Sequence, residues 1–289
     1  MSAEILIDMG DGVLSGRRTD PTASLRSEGG PLIVALHGGS YSSAFFHIPG
    51  YSLLDRAAAA GCSAVALDRP GYRASTPLSV GDRGLLEANA ERLDAGIAEL
   101  WRRNANTAKG VVLVGHSIGG AIAILIAAGE PMWPLLGIAV SGIGMVLPPD
   151  GPAYEGEPAA GELMEVPDEV KNRFMFGPPG SYPEDAQAKA AAANEPAVFR
   201  EIVEINTRWP HQARDICARV RVPVRYRQGE HDLVWSQGSE EIERFGRAFS
   251  NAPSVDARMV KGVAHSIDFH HAGRAFQEEE IAFAIACAR

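Results

Sequence analysis

Apolar residues in this chain gather in short runs that do not alternate with polar ones. Residues 32–36 read LIVAL, 64–67 AVAL, 111–114 VVLV and 138–140 IAV, with 222–226 (VPVRY) and the weaker 255–260 later on. Unbroken hydrophobicity over so few positions predicts strands covered on both faces, as in a parallel sheet. Between these runs the apolar period lengthens to that of a helix, over residues 51–60, 85–103, 118–129, 240–249 and 273–286. Strand and helix in regular alternation predict an α/β architecture, a doubly wound and mostly parallel sheet of about eight strands. At the start, residues 5–7 and a polar stretch over 17–22 predict an opening antiparallel hairpin.

The alternation fails between residues 145 and 211. This stretch opens with proline, glycine and acid (PPDGPAYEGEP) and turns helical over 185–193 and 197–208. An excursion of roughly 65 residues is too long for a loop and too aromatic for a linker, so it reads as an inserted lid. The expected organisation is a core of residues 1–144 and 211–289 with a cap at 145–210. Within the cap, Phe174, Met175, Phe176, Tyr182, Phe199 and Trp209 either face a substrate cavity or pack the cap onto the core.

Composition narrows the classes. Hydrophobic residues at 46% and charged residues at 22% are those of a globular domain, which excludes disordered and collagen-like chains. A net charge of −9 argues against nucleic acid and anionic membrane as partners. No apolar run approaches the ~20 residues needed to span a bilayer, and residues 1–10 lack the basic and apolar regions of a signal peptide. The three cysteines, Cys62, Cys217 and Cys287, are odd in number and far apart, and read as free thiols in a reducing compartment. A cytoplasmic protein is expected, with a small-molecule substrate as partner; a homodimer is admitted.

The chemistry centres on Gly115-His116-Ser117-Ile118-Gly119, followed by Gly120. The motif leaves an apolar strand directly and opens an apolar helix, the strand–turn–helix setting that exposes a nucleophilic serine. The glycines have a steric reason there, because the turn brings strand and helix backbones together. A serine hydroxyl needs a base at neutral pH. His265 stands after the last candidate strand and before the final helix, whereas His270 and His271 fall where a solvated helix face is expected. The acid should follow an intervening strand. Asp232, in Gly229-Glu230-His231-Asp232, is chosen over Glu230, and residues 141–147 offer no carboxylate. Beside His265, Asp232 would fix the imidazole tautomer and stabilise the imidazolium. The turn His37-Gly38-Gly39-Ser40 can aim a backbone N–H, that of Gly39 with Ser40 close behind, at a developing oxyanion; the N–H of Ile118 would be its companion. His37 precedes the serine and is read as a buttress of that loop. A metal site from His265, Asp268 and His270 lacks any zinc-ligand spacing, so neither metal nor cofactor is expected.

With these segments the chain resembles the α/β-hydrolase superfamily along nearly its whole length. A fourth segment agrees: Asp68-Arg69-Pro70-Gly71-Tyr72-Arg73-Ala74-Ser75 is similar to the superfamily's Asp-x-x-Gly-x-Gly-x-Ser turn, with Arg73 in place of the second glycine. The resemblance implies an α/β-hydrolase fold with a helical cap inserted after the sixth strand, as in capped esterases, lactonases and carbon–carbon bond hydrolases. Serine at 117 argues against dehalogenases and epoxide hydrolases, which use aspartate there. The activity it implies is serine (carboxylesterase-like) hydrolysis of a carboxylic ester, lactone or thioester of a small to medium, partly apolar substrate through an acyl-enzyme. Two other readings stay open: carbon–carbon hydrolysis of a diketone (or cofactor-free peroxidation or cyclisation) on the same triad, and ligand binding on a hydrolase scaffold. Arg73, Trp133, Arg173 and Trp235 could each shape the pocket.

Overall fold

The computed structural model describes residues 2–80, 84–149, 158–159 and 161–289. Most of the proline-, glycine- and acid-rich opening of the expected cap, residues 150–157, lies outside them.

Eight strands form one sheet in the order β1-β2-β4-β3-β5-β6-β9-β10. They are β1 Ala3–Asp8, β2 Val13–Thr19, β3 Gly30–Leu36, β4 Ser63–Leu67, β5 Ala108–His116, β6 Leu135–Ser141, β9 Val224–Gly229 and β10 Val255–Val260. The hairpin β1–β2 is antiparallel and joins β4 in antiparallel register, and every pairing from β4 across to β10 is parallel. In β3 all six residues from Pro31 to Leu36 are buried, as are Val111–Val114 of β5. The predicted strand at 222–226 begins at Val224, after Pro223, and runs on to Gly229. A proline cannot donate to a ladder, so it marks the strand's edge and not its interior.

Helices α1 (Leu53–Ala59), α2 (Leu85–Asn104), α3 (Ile118–Ala128), α7 (Trp209–Ala218), α8 (Ser239–Ala248) and α9 (Gly273–Cys287) flank the sheet. Ser52 caps α1 by accepting from the Asp55 N–H at 3.0 Å. Helix α3 is apolar on every face and buried almost throughout, with Leu32, Val34 and Leu113 of the sheet in the same core. A second core on the opposite face joins Ile33, Ala35, Val112 and Val114 to Leu53, Leu54 and Ile281.

Between β6 and β9 lie the ribbon β7 (Leu163–Met164) with β8 (Ala197–Val198) and the helices α4 (Asp168–Phe176), α5 (Ala186–Ala190) and α6 (Phe199–Thr207). Helix α4 has no counterpart among the predicted elements, although Pro167 ahead of Asp168 and Glu169 supplies an ordinary start signal. The predicted helix at 197–208 is divided, its first two residues pairing as β8. Glu204 of α6 accepts the backbone N–H groups of Leu85 and Leu86, at 2.6 and 3.1 Å. It thereby satisfies orphan donors at the start of α2, where negative charge is also favoured by the helix dipole.

Candidate active site

The turn from β5 into α3 places Ser117 at φ 55°, ψ −124°, a left-handed conformation that side-chain-bearing residues rarely adopt. Such a conformation costs roughly 1–3 kcal/mol and persists only when its surroundings impose it. Here the glycines impose it. A Cβ on Gly119 would sit 2.1 Å from the carbonyl oxygen of Leu36, and one on Gly115 would sit 2.6 Å from Gly119 O and Gly120 Cα. Strand β3, strand β5 and helix α3 therefore meet at a distance that no other residue allows.

Asp232 follows β9 and His265 follows β10, so the parallel pairing of these two strands delivers both to the same end of the sheet. Nδ1 of His265 lies 2.9 Å from Oδ2 of Asp232, and both side chains are buried. The other carboxylate oxygen accepts the N–H of Val234 at 2.8 Å. A carboxylate on Nδ1 leaves Nε2 as the ring's free acceptor. Glu230 is elsewhere: it is 40% exposed on its side chain and accepts the Gly262 N–H at 2.8 Å.

Ser117, His265, Ile118 and Gly39 line one cavity of about 360 Å³. Among the described residues Ser117 Oγ makes no hydrogen bond. Such contacts often tighten only when substrate is bound. The remaining wall is mostly apolar, with Val166, Val170, Phe174 and Met175 from the segment between β6 and β9 beside Leu233 and Trp235, and with Glu165, Lys171 and Asn206 as its polar members. A larger depression of about 780 Å³ lies between β1–β2 and residues 68–74, but neither Ser117 nor His265 borders it.

The turn at residues 37–40 is held from below. Burial pushes the His37 imidazole well below its usual pKa, keeping it neutral. Its Nδ1 lies 2.8 Å from Gly38 O, and its Nε2 accepts the Arg69 N–H at 3.1 Å. Ser40 adopts φ 57°, and its carbonyl accepts both Glu195 N–H, at 3.1 Å, and the ammonium of Lys171. His116, next to Ser117, stacks on Phe45 at 4.8 Å and, among the described residues, meets no hydrogen-bond partner with either ring nitrogen. Burial keeps it neutral as well.

His270 departs from the expected solvated face. It precedes α9 and is buried, with Nε2 3.0 Å from Phe176 O and Nδ1 2.9 Å from Ser266 O, so it ties α4 to the His265 loop. Asp268 is turned to Gln277 Nε2, and burial raises it to about 6. No group of histidines, cysteines and carboxylates suited to a metal occurs among the described residues. Of the aromatic residues considered for the cavity, Phe174 and Met175 line it, whereas Phe176 and Tyr182 belong to the core beside Phe269. Trp209 is buried and donates to Gly144 O at 2.8 Å. Trp235 lines the cavity, Trp133 is bound to Asp94, and Arg73 is paired with Glu195 at the surface.

Residues 33–278 match the family model described as alpha/beta hydrolase family. Among solved structures, a highly thermostable carboxyl esterase from Bacillus coagulans is 16% identical, with a TM-score of 0.72 over 100% of this chain and 99% of its own. The N-acyl homoserine lactonase AidH, crystallised with N-butanoyl homoserine, is 18% identical, with a TM-score of 0.64 over 99% and 97%. A thioesterase domain from the curacin biosynthetic pathway is 17% identical, with a TM-score of 0.61 over 98% and 99%. At these identities the likeness is one of fold. No curated protein matches the sequence.

Proposed function

Because this chain belongs to the alpha/beta hydrolase family, we propose that it is a serine hydrolase of carboxylic esters, lactones or thioesters, working through Ser117, His265 and Asp232. The observation that carries the reading is the buried Asp232–His265 pair, whose histidine lines the same cavity as the strained Ser117. Ser117 Oγ attacks the carbonyl carbon while His265 Nε2 takes its proton, and Asp232 stabilises the resulting imidazolium. The N–H groups of Gly39 and Ile118 receive the oxyanion. His265 then returns the proton to the leaving oxygen or sulfur, and activates the water that releases the acyl-enzyme.

The segment between β6 and β9 acts in this reading as a cap over the cavity. At about 360 Å³ the cavity is at the small end of ligand sites, and its mostly apolar wall suits a short or medium acyl or alkyl group. The family resemblance of esterase, lactonase and thioesterase folds supports acyl transfer without choosing among the three bonds.

The test is hydrolysis of p-nitrophenyl acetate and butyrate by wild type and Ser117→Ala, with fluorophosphonate labelling beside it. Turnover and labelling in wild type, with both lost in the variant, are expected. A wild type that does neither overturns the reading and leaves ligand binding as the better account.

A further inference from the structure

Arg69 and Glu201 form an ion pair at 2.6 Å with no solvent exposure on either side chain. Removing two charges from water costs several kcal/mol each, so such a pair is weakly explained by stability. Its partners suggest what else it does. Arg69 sits in the turn after β4, and its Nε donates to His37 O at 2.9 Å while its Nη2 donates to Gly38 O at 3.3 Å. Its guanidinium also lies over the Tyr72 ring at 4.7 Å, and Tyr72 Oη donates to the second oxygen of Glu201 at 3.1 Å. Glu201 itself comes from α6 in the inserted segment. The next residue, Ile202, lines the cavity, and its Cδ1 would be 3.0 Å from a Cβ on Gly39.

The carbonyl of Gly38 belongs to the same peptide unit as the N–H of Gly39. That carbonyl accepts from a cationic guanidinium and lies within hydrogen-bond distance of the neutral His37 ring. Donors on the oxygen of a peptide polarise its N–H and fix the plane in which it points. We propose that Arg69, held in place by Glu201 of the inserted segment, is a positioning residue of the oxyanion hole that orients and polarises the Gly38–Gly39 peptide. The inference rests on the serine-hydrolase reading of the site. Arg69 touches neither substrate nor reacting atoms. It acts through the Gly39 N–H, and the inserted segment thereby contributes to the chemical step as well as to the cavity wall.

Glu201→Gln keeps the shape of the side chain and removes its charge. Arg69→Lys keeps the charge and loses the fork that reaches two carbonyls. Both are measured in the full chain, with p-nitrophenyl butyrate and a boronic acid as a mimic of the tetrahedral intermediate. For each, kcat is expected to fall about 10–100-fold with KM changed less than about threefold, and boronate affinity to fall in parallel with kcat/KM. Binding of a non-reactive ketone-free ether analogue should stay constant. A variant that is less stable but keeps kcat within twofold overturns the proposal, as does a kcat loss unaccompanied by weaker boronate binding. If either variant fails to fold, the other carries the same comparison. If both do, Arg69→Lys/Glu201→Asp, which retains both charges, is expected to fold with the same kcat and boronate losses. The serine-hydrolase reading fails separately, by absence of turnover and labelling in wild type.

Discussion

Asp232 divides its carboxylate between two kinds of partner: Oδ2 faces His265 Nδ1 at 2.9 Å, and Oδ1 accepts the Val234 N–H at 2.8 Å. The second bond holds the acid in place independently of the histidine. Asp232→Asn should therefore fold normally yet present the wrong group to Nδ1, favouring the unproductive tautomer. A fall in kcat of about 10³–10⁴-fold on p-nitrophenyl butyrate, with little change in Tm, is expected. Retention of more than a tenth of the activity would remove Asp232 from the triad and return Glu230 to consideration.

Gly119→Ala would bring a methyl group to 2.1 Å from Leu36 O and 2.6 Å from His37 O, both backbone atoms. Backbone cannot rotate away as a side chain can, so β3 or α3 must move. A loss of roughly 3 kcal/mol or more in urea unfolding is expected, together with loss of labelling at Ser117. An unchanged midpoint would mean that the elbow is less crowded than described.

Arg73 occupies φ 52°, and stands where the superfamily pattern has its second glycine. Its ion pair with Glu195 at 3.0 Å is half-exposed and worth little. Arg73→Gly relieves the left-handed strain at the cost of a looser unfolded chain, for a net gain of about 0.5–1 kcal/mol. Differential scanning calorimetry would register this as a Tm higher by about 2 °C, and a lower Tm would contradict it.

Lys171 is buried beside Ser40 O, Asn194 and the Tyr41 ring. Burial pushes its ammonium down to about 7, although Asp168 and Glu195 pull it upward. The unfolded chain holds this proton up to about pH 10.4. Between about 7 and 10.4 the unfolded state thus binds more protons than the folded one, and stability from this group rises with pH; below 7 its penalty is fully present. Lys171→Met should flatten the Tm–pH curve across that window relative to wild type. Parallel curves would show that the ammonium is not destabilised.

Val170 and Phe174 of α4 line the cavity together with Leu233 and Trp235. Phe174→Ala enlarges one wall, and should shift the preferred p-nitrophenyl ester toward longer acyl chains, with kcat/KM for decanoate relative to butyrate rising about tenfold. An unchanged chain-length profile would place the acyl group against another surface.

The sheet and the elbow are legible in the sequence because each depends on short-range signals: apolar runs of four or five residues, and glycines at fixed offsets from Ser117. What escapes is what depends on distant partners. No sequence signal singles out Glu201 and Glu204, which share a buried helix face with Ile205: Glu201 pairs with Arg69, 132 residues earlier, and Glu204 accepts the Leu85 N–H, 119 residues earlier, besides pairing with Arg200. Lys171 falls three and four residues before Phe174 and Met175, a spacing that places all three on one helical face. Helix α4 is nonetheless absent from the predicted elements, and Lys171 interrupts its apolar positions. His270 is expected on a solvated helix face, but it precedes α9, and its ring is held instead by Phe176 O, 94 residues earlier, and by Ser266 O.

Strand β10 lies at the edge of the sheet, whereas β5, which leads into Ser117, is central. The proposed base is thus carried by an edge strand with a sheet neighbour on one side only, and β10 is also the last of the eight strands in chain order. On the proposed mechanism, the serine turn is made during synthesis before its proton acceptor, so a chain that has not yet reached His265 lacks the base it would need. On the same reading, activity in mild denaturant would be a sentinel of one margin, lost by fraying at β10 while the centre of the sheet remains native.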